Sequence, residues 1–285
     1  MALANFDQAE GLRRMLEVPK TRVLTFLSAL RDEEKSAVLV NLGAALARQG
    51  QQVLMVDARS SRNSVGAWLN ADPHQTLLDV AQQQRTIQNV IKLISSGLSV
   101  TMLSKYEITS NSLLPENFRN LSRVFDLAVD RSSLVIVDSE VDMNDAFPLA
   151  SLDESELVMQ VSANPVSIKE AYGLIKRVSN RVGRRSYGVL VSGSNEKEAR
   201  LVYTNMAQAA SRYLAVPLHF VGYVPADEHM KKAANLGRSV IDAFPQALAS
   251  QAFSRLAEYF SESVLAARST LALQKIPDVG VRLEI

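Results

Sequence analysis

Short apolar runs of strand length alternate along this chain with longer stretches in which apolar residues return every three or four positions. That alternation is the sequence form of repeated βαβ units around a parallel sheet. The runs are Arg22–Leu27, Gln52–Val56, Leu98–Met102, Leu134–Val137, Leu157–Val161, Tyr187–Val191 and Leu218–Tyr223. Most are too apolar to leave one face wet, which fits strands covered by helices on both sides. Helical spacing is predicted over Ala37–Arg48, where Val38, Leu42, Ala45 and Leu46 recur on one face and Gly50 supplies a stop. It returns over Thr76–Ser95, Leu114–Leu127, Ser167–Val182, Glu196–Ala215, Asp227–Leu236 and Phe244–Leu265. Together these predict an α/β fold, doubly wound, with a mostly parallel sheet and helices on both faces. Residues 21–268 read as one domain, with a separate helical segment over 1–20 and a tail over 269–285 that loses periodicity from Thr270.

Composition narrows the chemistry. A chain of 285 residues, 47% hydrophobic and 21% charged, can bury a large core. Basic residues number 31 and acidic residues 30, so no global field favours nucleic acid or an anionic membrane, and no nucleic-acid partner is expected. The absence of cysteine excludes disulfides, a thiol nucleophile and thiolate metal sites. His74, His219 and His229 lie too far apart for a metal motif, so no metal site is expected. No run approaches the roughly 20 apolar residues of a spanning helix, and the start lacks a signal pattern. A cytoplasmic location follows as the expectation, with any membrane association peripheral and through partners. Leu256, Phe260, Val264 and Leu265 give the last helix an apolar face, but Arg255, Glu258 and Glu262 leave the rest mixed rather than basic. Membrane contact is therefore expected to be weak or absent.

In nucleotide-binding α/β folds the turn from the first strand into the first helix carries GxxxxGK[ST], whose backbone N–H groups surround the phosphates. Here the turn reads Ser28-Ala29-Leu30-Arg31-Asp32-Glu33-Glu34-Lys35-Ser36. Lys35 and Ser36 stand where the motif has its lysine and hydroxyl, and every glycine is missing. A side chain at a left-handed position costs about 1–2 kcal/mol. One like-charge pair at about 4 Å costs on the order of 4 kcal/mol at an effective dielectric of 20, so three acids here oppose a triphosphate. Lys35 is expected to pair locally with those acids, and Lys35→Ala to change little.

The surroundings resemble the MinD/ParA family of deviant-Walker ATPases, whose fold is P-loop NTPase-like and whose loop is KGGxGK[ST]. Asn41-Leu42-Gly43-Ala44-Ala45-Leu46-Ala47 and Val53–Ala58 carry the likeness. Aligned on Lys35, the family's signature lysine falls at Leu30 and its glycines at Arg31, Asp32 and Glu34. Asp57 stands where relatives have DxD, with Arg59 replacing the second acid. Asp138 stands where they place the acid that holds a Mg²⁺-bound water, and Ser192 where many have an asparagine that reads adenine. An acid ending a strand is also suited to capping the next helix. The resemblance implies a vestigial nucleotide site at Leu30, Arg31, Asp32, Glu34, Lys35, Ser36, Asp57, Asp138 and Ser192, a pseudo-ATPase without catalytic residues, and no cofactor. ATP and Mg²⁺ enter only under the alternative, an active MinD-like ATPase cycling between monomer and membrane-bound dimer.

Ahead of the domain, Phe6–Leu16 reads as a short helix. Asp7 is suited to cap it, Glu10 completes an acidic capping box, and Leu12, Met15 and Leu16 share a face beside Arg13 and Arg14. About ten residues is too short for an isolated helix in water, so it must pack on the domain or order on a partner. Its DQAxxLR pattern, carried by Asp7, Gln8, Ala9, Leu12 and Arg13, resembles the activator segment of the flagellar-number regulators FlhG/FleN. In that family the segment stimulates the signal-recognition-type GTPase FlhF. Thr76–Val80, Asn164–Lys176 and Phe220–Pro225 are similar to the corresponding family stretches in the same order. The likeness implies a regulator of flagellar number or placement that acts by binding proteins. Asp7, Gln8, Ala9, Leu12, Arg13 and Arg14 would contact an FlhF-like GTPase, with other flagellar basal-body or regulatory proteins as further partners. A non-flagellar MinD-like scaffold is the reading that keeps the fold and disregards the motif.

Overall fold

The computed structural model describes residues 21–59, 61–109 and 112–273. The segment 1–20, with Asp7, Gln8, Ala9, Leu12, Arg13 and Arg14, lies outside the described residues, as do residues 274–285 of the tail. The apolar runs form strands β1 (Arg22–Ser28), β2 (Val53–Asp57), β4 (Leu98–Met102), β5 (Leu134–Asp138), β6 (Glu156–Ser162), β7 (Tyr187–Ser192) and β8 (Leu218–Val224). With β3 (Lys92–Ser95) they make one sheet in the order β3-β4-β2-β5-β1-β6-β7-β8. Every neighbouring pair is parallel except β3 and β4.

Alternate residues of the strands feed two cores. Leu24, Phe26, Met55 and Ile136 face α1 (Asp32–Arg48) and α10 (Leu248–Leu273), against Leu39, Leu42, Phe253 and Phe260. The short helices α8 (Glu228–Asn235) and α9 (Val240–Ala243) add Ala233, Val240 and Ile241 to the same core. Leu54, Val56, Val135 and Met159 face the other layer. That layer is built from α5 (Pro115–Val129), α6 (Pro165–Val182) and α7 (Glu196–Leu214). Gly222 lets α10 approach β8, because a Cβ there would stand 2.7 Å from Leu256 Cδ2. Arg22 pins the same helix at the amino end of the sheet, donating to both Glu156 carboxylate oxygens and to the Phe260 carbonyl at 2.6 Å each. The apolar face of α10 through Phe260 is thus buried within the domain. No helix among the described residues is long and apolar enough to cross a membrane.

Three boundaries depart from the periodicity. Helix α1 starts at Asp32, five residues ahead of the predicted Ala37. Its first turn holds Asp32, Glu33 and Glu34, which suit the positive end of a helix dipole although they add no apolar period. The single helix predicted over Thr76–Ser95 divides into α3 (Leu77–Ala81), α4 (Ile87–Val90) and the edge strand β3. Thr76 and Asp79 close a capping box on α3, and Gln83 follows with φ 61°. That left-handed residue stops the helix and turns the chain. Helix α10 continues to Leu273, beyond the predicted Leu265 and into the stretch read as tail.

Candidate functional site

Parallel register brings the predicted residues together. Strands β2, β5 and β1 are adjacent, with Asp57 paired to Asp138 across β2 and β5 and Phe26 to Asp138 across β1 and β5. Two carboxylates therefore stand at the carboxyl ends of the strands, where open α/β sheets place their ligands. Lys35, one turn into α1, is buried there. Its Nζ lies 2.7 Å from Asp138 Oδ1 and donates to the Ser139 carbonyl at 2.7 Å. Arg59, two residues past Asp57, is buried as well. Its guanidinium pairs with Asp32 and lies 3.7 Å from both Asp138 Oδ2 and Glu140 Oε2. Asp32, Arg59, Asp138 and Lys35 thus form a continuous ion-pair network with Glu140 on its rim.

The expected local pairing of Lys35 with the first-turn acids is corrected by this geometry. Lys35 turns toward the sheet and meets Asp138, 103 positions later, while Asp32 takes Arg59 and Glu34 takes the exposed Arg31. Its truncation cannot be neutral, because removing one partner of a buried ion pair costs about 3–5 kcal/mol.

Burial, reinforced by the charge of Arg59, pulls the Lys35 ammonium below its ordinary range, with Asp138 opposing. Burial acts in the same sense on Arg59, yet the carboxylates of Asp138, Asp32 and Glu140 outweigh it and hold the guanidinium above its ordinary value. For Asp32, burial is outweighed by the charge and hydrogen bond of Arg59, and the carboxyl is held low.

Asp57 serves a different purpose. The Ser64 hydroxyl and the Gly66 N–H donate to its Oδ2, the latter at 3.1 Å, and the Arg59 N–H donates to its Oδ1 at 3.1 Å. It anchors the start of the short helix α2 (Val65–Trp68), and a Cβ on Gly66 would collide with the carboxylate. Burial raises the Asp57 carboxyl above its ordinary value against these hydrogen bonds. Ser64 is the N-cap of α2, and Asp57 braces that cap by accepting from the Ser64 hydroxyl and from Gly66 N–H. Asp138 departs from the expected capping of the next helix, accepting from Val65 N–H at 3.3 Å on α2 rather than from an element that follows it in sequence.

The remaining predicted positions scatter. Ser36 donates to the Asn63 carbonyl. Leu30 lines a cleft of about 190 Å³ together with Leu27, Ser28, Asp32, Lys35 and Arg59. Ser192 sits at the end of β7, separated from β1 by β6, and its buried hydroxyl has no protein partner. Sequence reading missed Arg59 as a participant, along with Ser64, Gly66 and Glu140. The available signal was the convergence of Asp57 and Asp138 on adjacent strand ends, which demands a buried cation nearby. Among the described residues no group of three or more His, Cys, Asp or Glu is arranged to hold a metal ion.

No protein-family model matches the chain. In sequence it is similar to the antiactivator FleN of Pseudomonas aeruginosa, 29% identical over 225 residues that span 79% of this chain and 80% of that protein. In structure it is similar to the septum site-determining protein MinD of Pyrococcus horikoshii, solved in complex with Mg-ADP. The TM-score is 0.63 at 17% identity, over 87% of this chain and 98% of that one. A ParA family ATPase from Chlorobium tepidum gives a TM-score of 0.61 at 19% identity, over 83% and 97% of the two chains. The sheet, the helix leaving β1 and these likenesses agree: the chain has the MinD/ParA-type fold and is similar in sequence to FleN.

Proposed function

We propose that this protein regulates flagellar number or placement by binding other proteins, on a MinD/ParA-type domain that has given up nucleotide chemistry. The likeness to an antiactivator supports the regulatory role. The observation that carries the rest is the buried 2.7 Å pair between Lys35 and Asp138, closed on its other side by Arg59 and Asp32.

A triphosphate needs bare backbone N–H groups at the helix start and cations directed at it. Here α1 opens on Arg31, Asp32, Glu33 and Glu34, with no glycine among them. Lys35 and Arg59 already face carboxylates. The residues do not fit a Mg²⁺-triphosphate in this arrangement.

The segment carrying Asp7, Gln8, Ala9, Leu12, Arg13 and Arg14 would then be the acting part, docking as a helix on an FlhF-like GTPase and stimulating it. Steady-state GTP hydrolysis by such a GTPase, with and without the full-length chain, tests this. Stimulation that disappears in Arg13→Ala and Leu12→Asp, with the domain still folded, is the expected result. Equal turnover with and without the chain would overturn it. The competing ATPase reading draws on the convergence of Lys35, Asp57 and Asp138 at the carboxyl end of the sheet, and requires ATP-dependent dimers.

A further inference from the structure

Lys35 comes from α1 and Arg59 from the turn after β2, yet both reach the loop that follows β5. We propose that their ion-pair network is a built-in strut, holding residues 138–146 in one shape without any ligand. The proposal rests on the reading that no nucleotide occupies this end of the sheet.

Two cations from different elements grip successive residues of the loop. Lys35 takes Asp138 and the Ser139 carbonyl, while Arg59 approaches Asp138 and Glu140. Asp32 fixes Arg59 from the opposite side, and the Ser61 hydroxyl donates to Asp32 Oδ2 at 3.0 Å. The start of α1, the turn after β2 and the start of the loop are thereby tied into a ring.

The far half of the loop has its own fastenings. Asp142 Oδ1 accepts from the N–H groups of Asn144 and Ala146 at 2.8 and 3.0 Å, and Arg177 on α6 donates to Asp145 at 2.8 Å. The near half is held by Ser139 N–H on the Phe26 carbonyl at 3.2 Å, by Ala58 N–H on the Asp138 carbonyl at 3.0 Å and by Val65 N–H on Asp138 Oδ2 at 3.3 Å. Beyond these, the two cations hold the Ser139 carbonyl and Glu140. Met143, fully exposed within the far half, is a natural reporter of the loop's state.

Hydrogen exchange of the full-length protein, read by mass spectrometry, and the methyl resonance of ¹³C-labelled Met143 test the strut. Asp32→Asn removes charge from a half-exposed partner and should leave the fold intact. The double variant Lys35→Met/Asp138→Leu replaces the buried pair with apolar side chains. Both should speed exchange over 138–146 by about tenfold and shift or broaden the Met143 signal, while amides of β4 and β7 keep their protection. Wild-type exchange should be unchanged by millimolar Mg²⁺-ATP. Loop exchange in Asp32→Asn equal to wild type would overturn the strut. Slower wild-type exchange on adding Mg²⁺-ATP would instead overturn the nucleotide-free reading beneath it.

Discussion

The carboxyl edge of the sheet treats buried polar groups in two ways. At the ends of β2, β5 and β1, the buried charges of Lys35, Arg59 and Asp138 all face opposite charge. On β6 Gln160 is fully buried with neither amide atom bonded within the protein, and the hydroxyls of Ser192 at the end of β7 and of Ser194 just past it are buried without protein partners. The magnitudes explain the contrast. A buried ion left alone costs several kcal/mol, a large part of a domain's roughly 5–15 kcal/mol of stability. A neutral polar group left unbonded costs about 1–3 kcal/mol and is survivable. One half of the edge is therefore compensated by charge, even where Arg59 Nε and Nη1 and Asp138 Oδ1 make no hydrogen bond, and the other carries neutral groups that no opposite charge has to balance.

The largest effect should come from breaking the charge-compensated half. Asp138→Ala, which strands Lys35 and removes a partner of Arg59, should lower the unfolding free energy by about 3–5 kcal/mol in denaturant titration. Lys35→Met/Asp138→Leu should cost markedly less than either single change, because the pair itself is close to neutral against an apolar replacement. Additive losses in that double-mutant cycle would show that Lys35 and Asp138 do not act as a pair.

A smaller effect lies in pH. Burial holds the Asp57 carboxyl above its ordinary value. Between the unfolded value near 3.8 and that raised value, the folded chain keeps a proton that the unfolded chain releases. Stability from this group is therefore full below the unfolded value and falls as pH rises through the window. Asp57→Asn, measured by thermal unfolding across that range, should flatten the dependence. The smallest expected changes belong to the neutral half. Ser192→Ala should be neutral or gain up to about 1 kcal/mol, because it deletes a buried hydroxyl with no partner to lose.

Much of this arrangement is legible in the amino-acid order alone. Apolar runs such as Leu134–Val137 and Tyr187–Val191 locate the central strands, since a strand covered on both faces has little room for polar residues. The missing glycines after Ser28 mark the altered strand-to-helix turn. The start of α1 is hidden, because Asp32, Glu33 and Glu34 read like a loop when only apolar periodicity is followed. The break within Thr76–Ser95 depends on a capping box and a left-handed Gln83 rather than on hydrophobic spacing. Least visible is the partner of Lys35. Three acids stand next to it in sequence, and the β2–β5–β1 register delivers Asp138 from far along the chain instead.

The central claim is that Lys35 and Arg59 are already neutralised from within, leaving no site for a nucleotide. Isothermal titration of the full-length protein, stripped of carried-over ligand, with Mg²⁺-ATP and Mg²⁺-ADP up to millimolar concentration tests it most directly. The account predicts no binding heat for either nucleotide. Saturable binding in the micromolar range would mean that the Asp32–Arg59–Asp138–Lys35 network opens for phosphate, and would contradict it.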